Sequence, residues 1–247
     1  MTGRLDGTTA VVTGASSGIG AATARALAAE GATVALLARR RDRLEELAAE
    51  LGERTSVHET DVADEAAVRA SLEAVVAAHG GIDVLVNNAG YGKIEPVADA
   101  EWSNWRTMVD VNVLGVFAAA MAAVPHLVKA ADGPRGVADM ITVSSVAGRK
   151  VVKGTNVYAA TKHAVGAFSE GLRQELAEQH VRVGLVEPGL VRTELTQDPT
   201  SGTAEIRDNG YAVMEASDIA DAIVYAVTRP ARVAVNEILI RPTEQTR

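Results

Sequence analysis

Tyr158 and Lys162 stand four residues apart in Tyr158-Ala159-Ala160-Thr161-Lys162, at the head of an Ala-rich stretch. If that stretch is helical, the two side chains share one face. A phenol has an ordinary pKa of about 10, too high to exchange protons efficiently at neutral pH. A nearby ammonium favours the phenolate, and so does any second positive charge in a partly dry cleft. Bringing the group to about 7 takes roughly 4 kcal/mol, at ~1.36 kcal/mol per pKa unit. The pair therefore suits proton transfer to and from an oxygen. Alone it is weak, because a Tyr and a Lys one turn apart are common on helices.

Two further residues strengthen it. Ser145 ends the apolar run Val137–Val143 and its Ser144-Ser145 tail, thirteen residues before Tyr158. That separation returns the chain to the same edge of a sheet, where a hydroxyl can hydrogen-bond a reacting oxygen as its charge changes. Asn112, in Asp110-Val111-Asn112-Val113, falls inside a helical pattern. Asn is locally unfavourable there, so its side chain either bonds its own backbone or serves a site.

A different chemistry is written near the N-terminus. The run Thr9–Thr13 leads straight into Gly14-Ala15-Ser16-Ser17-Gly18-Ile19-Gly20, where a helical pattern begins. Glycines allow a tight turn and a close approach of backbone to a pyrophosphate, and the helix start offers free N–H groups and partial positive charge. GxxxGxG between a strand and a helix is far more specific than glycines alone, and it points to a dinucleotide. Folds that hold NAD usually place an acid at the end of the second strand for the ribose 2′-OH. Here Ala38 occupies that position, followed by Arg39, Arg40 and Arg41. A guanidinium suits a 2′-phosphate, so Arg39 argues for NADP(H) over NAD, while Arg40 and Arg41 also fit a solvated helix start. Asp61-Val62 after the third strand is placed to bracket the adenine, and Asn87-Asn88-Ala89-Gly90 after the fourth to edge the crevice.

The elements that must position these groups alternate along the chain. Apolar runs at Thr9–Thr13, Thr33–Leu37, Thr55–Thr60, Ile82–Val86, Val137–Val143, Val181–Val186 and Val235–Ile240 read as buried strands. Helical patterns fall at Gly18–Glu30, Arg41–Leu51, Glu65–His79, Asp99–Ala131, Val157–His180 and Ser217–Arg229. Strands without polar alternation, separated by helices, predict an α/β, Rossmann-type doubly wound fold. Its seven-stranded parallel sheet carries helices on both faces. No linker divides residues 1–247, so a single domain is expected. The long irregular stretch Pro188–Val213 is a candidate substrate lid, with a disordered surface insertion as the plainer reading.

Composition excludes other classes. A net charge of −8 speaks against a nucleic-acid surface. The absence of cysteine removes disulfides, thiolate nucleophiles and Cys-ligated metals, and it fits a cytoplasmic protein. The five His residues show no ligand spacing, so no metal is expected. No signal-peptide core and no run of about 20 apolar residues is seen, so a membrane is not expected as a partner.

Over almost its whole length the chain resembles the short-chain dehydrogenase/reductase family. The resemblance rests on Thr13–Gly20, Asn87–Gly90, Asn112, Ser145, Tyr158, Lys162 and Pro188-Gly189-Leu190-Val191-Arg192-Thr193, in the family's order and spacing. It implies an oxidoreductase that interconverts a carbonyl and an alcohol. Tyr158 would be the acid/base, Lys162 would bind the nicotinamide ribose and lower the Tyr158 pKa, and Ser145 would polarise the carbonyl. Asn112 would hold a water linking Lys162 to solvent. Asn88, Pro188, Gly189, Val191 and Thr193 would touch the cofactor, with Thr193 near the nicotinamide amide. Within the family, Val186-Glu187-Pro188-Gly189 and Glu237–Thr243 look like NADP-dependent serine or 3-hydroxy-acid dehydrogenases and clavaldehyde dehydrogenases. Thr142 stands where many members carry Asn, which puts a local hydrogen bond in question.

A small-molecule substrate should lie over Tyr158, between Tyr91–Val97, Val146–Val157 and the Pro188–Val213 stretch, touching Ser145, Val146, Val152 and Gly189. Lys93, Arg149, Lys150 and Lys153 form a basic rim that either favours an anionic substrate or is simply solvated. By resemblance, the Asp99–Ala131 and Val157–His180 helices build a homotetramer or homodimer contact. The alternatives are a non-catalytic NADP-binding sensor on the same fold, which calls for a degraded Tyr–Lys–Ser–Asn set, and an epimerase or dehydratase, which usually carries a larger C-terminal domain.

Overall fold

A computed structural model describes residues 3–199, 201–202 and 212–246. Seven strands run β1 (Thr9–Thr13), β2 (Thr33–Ala38), β3 (Thr55–Glu59), β4 (Val84–Asn87), β5 (Ala138–Val143), β6 (Val181–Pro188) and β7 (Glu237–Ile240). They form one parallel sheet in the order β3-β2-β1-β4-β5-β6-β7. The helices are α1 (Gly18–Ala29), α2 (Arg41–Leu51), α3 (Glu65–His79), α4 (Trp102–Val109), α5 (Gly115–Ala131), α6 (Asn156–Leu176), α7 (Glu194–Gln197) and α8 (Ala216–Val227). The expected fold class is the one observed.

The strands lack polar alternation because each face of the sheet has its own core. Val12, Val34, Leu36, Val84, Val86 and Ile141 pack with Leu27 of α1, Leu44 and Leu47 of α2, and Ile219 and Ile223 of α8. The intervening Val11, Ala35, Leu37, Leu85 and Met140 pack with Val68 and Leu72 of α3, Leu127 of α5 and Leu176 of α6. Successive side chains of a strand point to opposite faces, so helices on both sides demand apolar residues at every position. The edges depart from this. β3 is only partly buried and alternate residues of β7 are exposed, since an edge strand is covered less completely.

Helix limits follow local chemistry. Asp64 caps α3 by accepting from Ala66 N and Ala67 N, and Gly80 ends it in the left-handed region at φ +87°. The expected helix Asp99–Ala131 is four pieces: a 3₁₀ turn at Val97–Asp99, α4, a π-helical turn at Asp110–Leu114, and α5. The predicted Val157–His180 helix ends at Leu176, followed by a 3₁₀ turn at Ala177–Gln179 and a left-handed His180 at φ +57°. The Trp102–Ala131 run contains an 18-residue window of mean hydropathy 1.9, long and apolar enough by length and composition alone to cross a membrane. Its residues Ala119, Ala123 and Leu127 pack into the core shared with α3 and the sheet, as a core helix does. Of the candidate lid, residues 200 and 203–211 lie outside the described residues.

At the end of the sheet remote from the glycine turn, Arg182 of β6 is 8% exposed and donates bidentately to Asp139 of β5 at 2.8 and 2.9 Å. It also donates to the carbonyls of Val227, Arg229, Pro230 and Val233, which fastens the α8–β7 connection to the sheet.

Candidate active site

The glycine turn joins β1 to α1 against the end of β4. Gly14 has φ +65°, and a Cβ there would lie 2.8 Å from Ala89 Cα. At Gly20 a Cβ would fall 2.3 Å from Gly14 O, so this turn tolerates no side chain at either position. Asn88 Nδ2 donates to Thr13 O at 2.9 Å and to Gly14 O at 3.3 Å. The Thr13 hydroxyl accepts from Asn88 N and Ala89 N, both at 3.0 Å. Asn88 and Ala89 are thus part of the turn's support, and Thr13, the first residue of the glycine motif, takes a supporting role that the motif alone does not assign. Ser17 begins α1 without a side-chain cap, which leaves the first amides, at Gly18, Ile19 and beyond, directed out of the helix. That arrangement suits a pyrophosphate.

At the end of β2, Ala38 is followed by Arg39, which has no ion pair or side-chain hydrogen bond among the described residues. Arg40 reaches the turn instead, donating from Nε and Nη2 to Ser16 Oγ at 3.2 and 3.1 Å, and pairing through Nη1 with Glu194 at 2.8 Å. Arg41 pairs with Glu45 one turn on, so it is a surface helix residue. Thr193 leans on the turn, its Cγ2 3.1 Å from where a Cβ on Gly18 would sit, and it caps α7. Val191 is buried, and Val62 packs its side chain against Gly115 in the core beside the exposed Asp61. Gly90 lies on the Asn112 and Lys162 side of the crevice, a Cβ there falling 3.6 Å from Asn112 Oδ1 and 4.0 Å from Lys162 Nζ.

The proton-transfer candidates converge at the ends of β5 and β6. Ser145 caps the 3₁₀ turn Val146–Gly148, accepting from Ala147 N at 3.1 Å, and makes a long 3.5 Å contact with Pro188 O. Its hydroxyl also neighbours that of Tyr158 and favours the phenolate there. Lys162 Nζ donates to Val143 O at 2.9 Å and stands 5.7 Å from the Tyr158 ring centroid. Gly92 gives the ring room, since a Cβ there would lie 3.2 Å from Tyr158 Cε2. Burial pushes the Tyr158 phenol above its ordinary value, and the Ser145 hydroxyl opposes that shift. Burial also draws the Lys162 ammonium down to about 8. The lowering expected of Tyr158 is therefore not seen in the chain alone, in which desolvation outweighs the influence of Ser145.

Asn112 sits one layer behind, in the π-helical turn, 1% exposed. Its Oδ1 accepts from Tyr91 N at 2.8 Å, and Nδ2 donates to Tyr91 O at 2.8 Å and to Thr161 Oγ1 at 3.1 Å. The Thr161 hydroxyl in turn donates to Tyr158 O at 2.7 Å. Asn112 thus couples the Tyr91 loop to the helix that carries Tyr158 and Lys162. Thr161 was not singled out by sequence; its place three residues after Tyr158, on the same face, is the signal that locates it.

Among the remaining expectations, Val146 belongs to the Ser145 turn, Val152 is 43% exposed beyond it, and Gly189 follows Pro188 with its N donating to Ile240 O. Arg149 leaves the expected basic rim, because it is ion-paired to Glu187 and Glu237. The doubt over Thr142 is justified. Thr142 Oγ1 and Asn87 Nδ2, on register-paired residues, are both buried without a hydrogen-bond partner. Among the described residues no cluster of three His, Asp or Glu side chains is placed to hold a metal.

Comparison with known proteins agrees with this geometry. Residues 8–203 match the family model described as short chain dehydrogenase. An uncharacterized oxidoreductase of Staphylococcus epidermidis is 39% identical over 233 residues, covering 94% of this chain and 96% of that protein. A closed form of serine dehydrogenase complexed with NADP+ superposes with a TM-score of 0.88 at 34% identity, covering 97% of each chain. A 3-ketoacyl-(acyl-carrier-protein) reductase from Brucella melitensis complexed with NADH gives a TM-score of 0.88 at 28% identity, covering 96% of this chain and 98% of that one.

Proposed function

The chain belongs to the short-chain dehydrogenase family of oxidoreductases, and on that premise we propose that it interconverts a ketone or aldehyde and an alcohol on a small molecule, using NADP(H), with Tyr158 as acid/base. The observation that carries this reading is the convergence of Ser145 and Lys162 on Tyr158, backed by Asn112 through Thr161. A non-catalytic sensor calls for a degraded set, and here the four side chains stand together.

A bound nicotinamide nucleotide supplies or accepts the hydride. The chain's own part is to bind, orient and move the proton. The amides at the head of α1 and the Gly14–Gly20 turn cradle the pyrophosphate, as the space kept free of Cβ atoms fits. Arg40 and Ser16, with Arg39 beside them, suit a 2′-phosphate, which a carboxylate at Ala38 would repel. The NADP+ held by the related serine dehydrogenase agrees with that preference, and the NADH of the ketoacyl reductase shows that the fold admits either. Asp61, Val62, Ala89 and Gly90 border the adenine and the crevice. Pro188, Gly189, Val191 and Thr193 close the nicotinamide end.

In reduction, the Tyr158 hydroxyl donates its proton to the developing alkoxide while the Ser145 hydroxyl hydrogen-bonds the same oxygen. In oxidation the Tyr158 phenolate accepts the proton. Lys162 favours that phenolate and holds the ribose, and Asn112 supports a water between Lys162 and solvent. Val146, Val152 and Gly189 border the substrate, under a lid formed by part of 188–213.

Trp102, Leu114 and Met121 are 73, 51 and 60% exposed along the Trp102–Ala131 run, which supports a homodimer or homotetramer built on this face. The absence of cysteine and the net charge of −8 support a cytoplasmic setting without nucleic-acid partners.

The test is a panel of aldehydes, ketones, β-keto acids and 3-hydroxy acids followed by NADPH absorbance, with Tyr158→Phe alongside. Turnover should fall at least ~100-fold in the variant, with NADPH binding nearly unchanged. Retained turnover in Tyr158→Phe would refute the acid/base assignment.

A further inference from the structure

The turn that presents Ser145 is tied down at its far end by a guanidinium. Gly148 N and Arg149 N donate back to Ser145 O and Val146 O at 2.8 and 3.0 Å, which closes the turn. The Arg149 side chain then crosses to the sheet. It makes three bonds of 2.8, 3.0 and 2.8 Å to the Glu187 carboxylate and an ion pair to Glu237. Glu187 is 2% exposed and immediately precedes Pro188, whose carbonyl touches the Ser145 hydroxyl. A carboxylate so buried must be matched by charge or take up a proton.

We propose that Arg149 is a positioning residue. Clamped by Glu187 and Glu237, it holds the Ser145 turn on the ends of β6 and β7. It also cancels a buried negative charge that would otherwise oppose the Tyr158 phenolate. This rests on the reading of Tyr158 as the proton-transfer group.

The charged and titratable groups around Glu187 come from each neighbouring element. The turn supplies Arg149 and β7 supplies Glu237, while Tyr158 of α6 lies beyond Pro188 and Ser145. Beyond β7, Arg241 packs its Cγ 3.2 Å from a Cβ position on Gly189. Among the described residues only Arg149 is ion-paired with Glu187. Its removal leaves an unmatched anion beside Pro188, whose carbonyl contacts Ser145 next to Tyr158, and an anion favours the neutral phenol. Removing the Glu187 charge instead leaves a surplus cation, which favours the phenolate.

The electrostatic part is read on the intact protein by ultraviolet difference titration of tyrosine ionisation, with the Tyr158→Phe trace subtracted. Arg149→Met should raise the Tyr158 midpoint, because an unmatched anion favours the neutral phenol. Glu187→Gln should lower it, Arg149→Lys should fall near wild type, and Arg149→Met/Glu187→Gln should return to it. In turnover, Arg149→Met should lower kcat roughly tenfold or more with a smaller change in KM, because Ser145 is misplaced rather than lost.

An unmoved Tyr158 midpoint in both single variants, with only thermal stability reduced, would overturn the proposal and leave Arg149 a structural clamp. A double variant no nearer wild type than Arg149→Met would overturn it as well. If Arg149→Met fails to fold, the opposite shift in Glu187→Gln decides. Full turnover in Tyr158→Phe would instead remove the reading beneath it, while the titration would still report on the clamp.

Discussion

Lys162 shows how one side chain is set by opposing demands. Its ammonium is buried and drawn down to about 8, yet it keeps a bond to Val143 O. The unfolded chain holds that proton up to about 10.4. Between these values the unfolded state binds more protons, so the stability contributed by Lys162 rises with pH across the window from about 8 to about 10.4. Below it the folded protein bears the full cost of burying the charge. The span corresponds to ~3 kcal/mol. Lys162→Met should therefore gain stability relative to wild type at pH 7 and lose that advantage towards pH 10. Urea midpoints of the two proteins at several pH values check this, and a constant difference would contradict it. Arg40 carries the second prediction at this scale. If it reads the 2′-phosphate with Ser16, Arg40→Asp should raise the NADPH dissociation constant roughly tenfold or more, the worth of a charge-assisted hydrogen bond, and leave NADH nearly unaffected. Fluorescence titration with both nucleotides separates the two effects.

Elements place these side chains where no local rule would. The π-helical turn Asp110–Leu114 widens the helix at Asn112, whose amide then reaches both the Tyr91 backbone and Thr161. A regular α-helix through that point was the sequence expectation, and the tertiary bonds of Asn112 accompany the extra residue in the turn. At the opposite end of the sheet, Arg182 joins β5, β6, α8 and the approach to β7 through one guanidinium. Arg182→Met should cost ~3–5 kcal/mol, because it strips a buried carboxylate of a partner and several carbonyls of a donor. Arg135, which also meets Asp139, keeps the loss from being larger. A fall in urea midpoint without loss of NADPH binding in the native baseline is the expected pattern.

At the scale of the molecule, the two edges and the outer face of the Trp102–Ala131 run remain open. Trp102 and Val109 are seven residues apart, as are Leu114 and Met121, on either side of the π-helical turn, and all four are exposed. Burying such a face between copies of the chain removes apolar area from water at ~25 cal/mol per Å². Met121→Glu with Leu114→Arg should shift the protein towards monomer by sedimentation while leaving its circular dichroism unchanged. An unaltered mass in solution would place the contact elsewhere. Net charge does not oppose association strongly, since −8 is modest for 247 residues.

The sequence by itself determined the fold class and the order of strands and helices, and it singled out the glycine turn and the residues Ser145, Tyr158, Lys162 and Asn112 that the structure brings near one another. These are local signals: an apolar period, a turn that only glycine allows, and a fixed spacing from a strand end or along a helix. Tertiary structure decided what depends on partners distant in the chain. It joined Arg40 to Ser16 of the glycine turn and to Glu194, contacts that no local pattern at Arg39-Arg40-Arg41 foretells. It took Arg149 out of the basic rim by closing it onto Glu187, thirty-eight residues away. It broke one predicted helix at Asn112, and it left Thr142 and Asn87 buried without partners. Periodicity records which face of an element is buried, but not which charge will lie opposite it. Pairing is settled only when separate elements meet, and the burial that fixes Tyr158 and Lys162 at their shifted protonation levels arises at the same step.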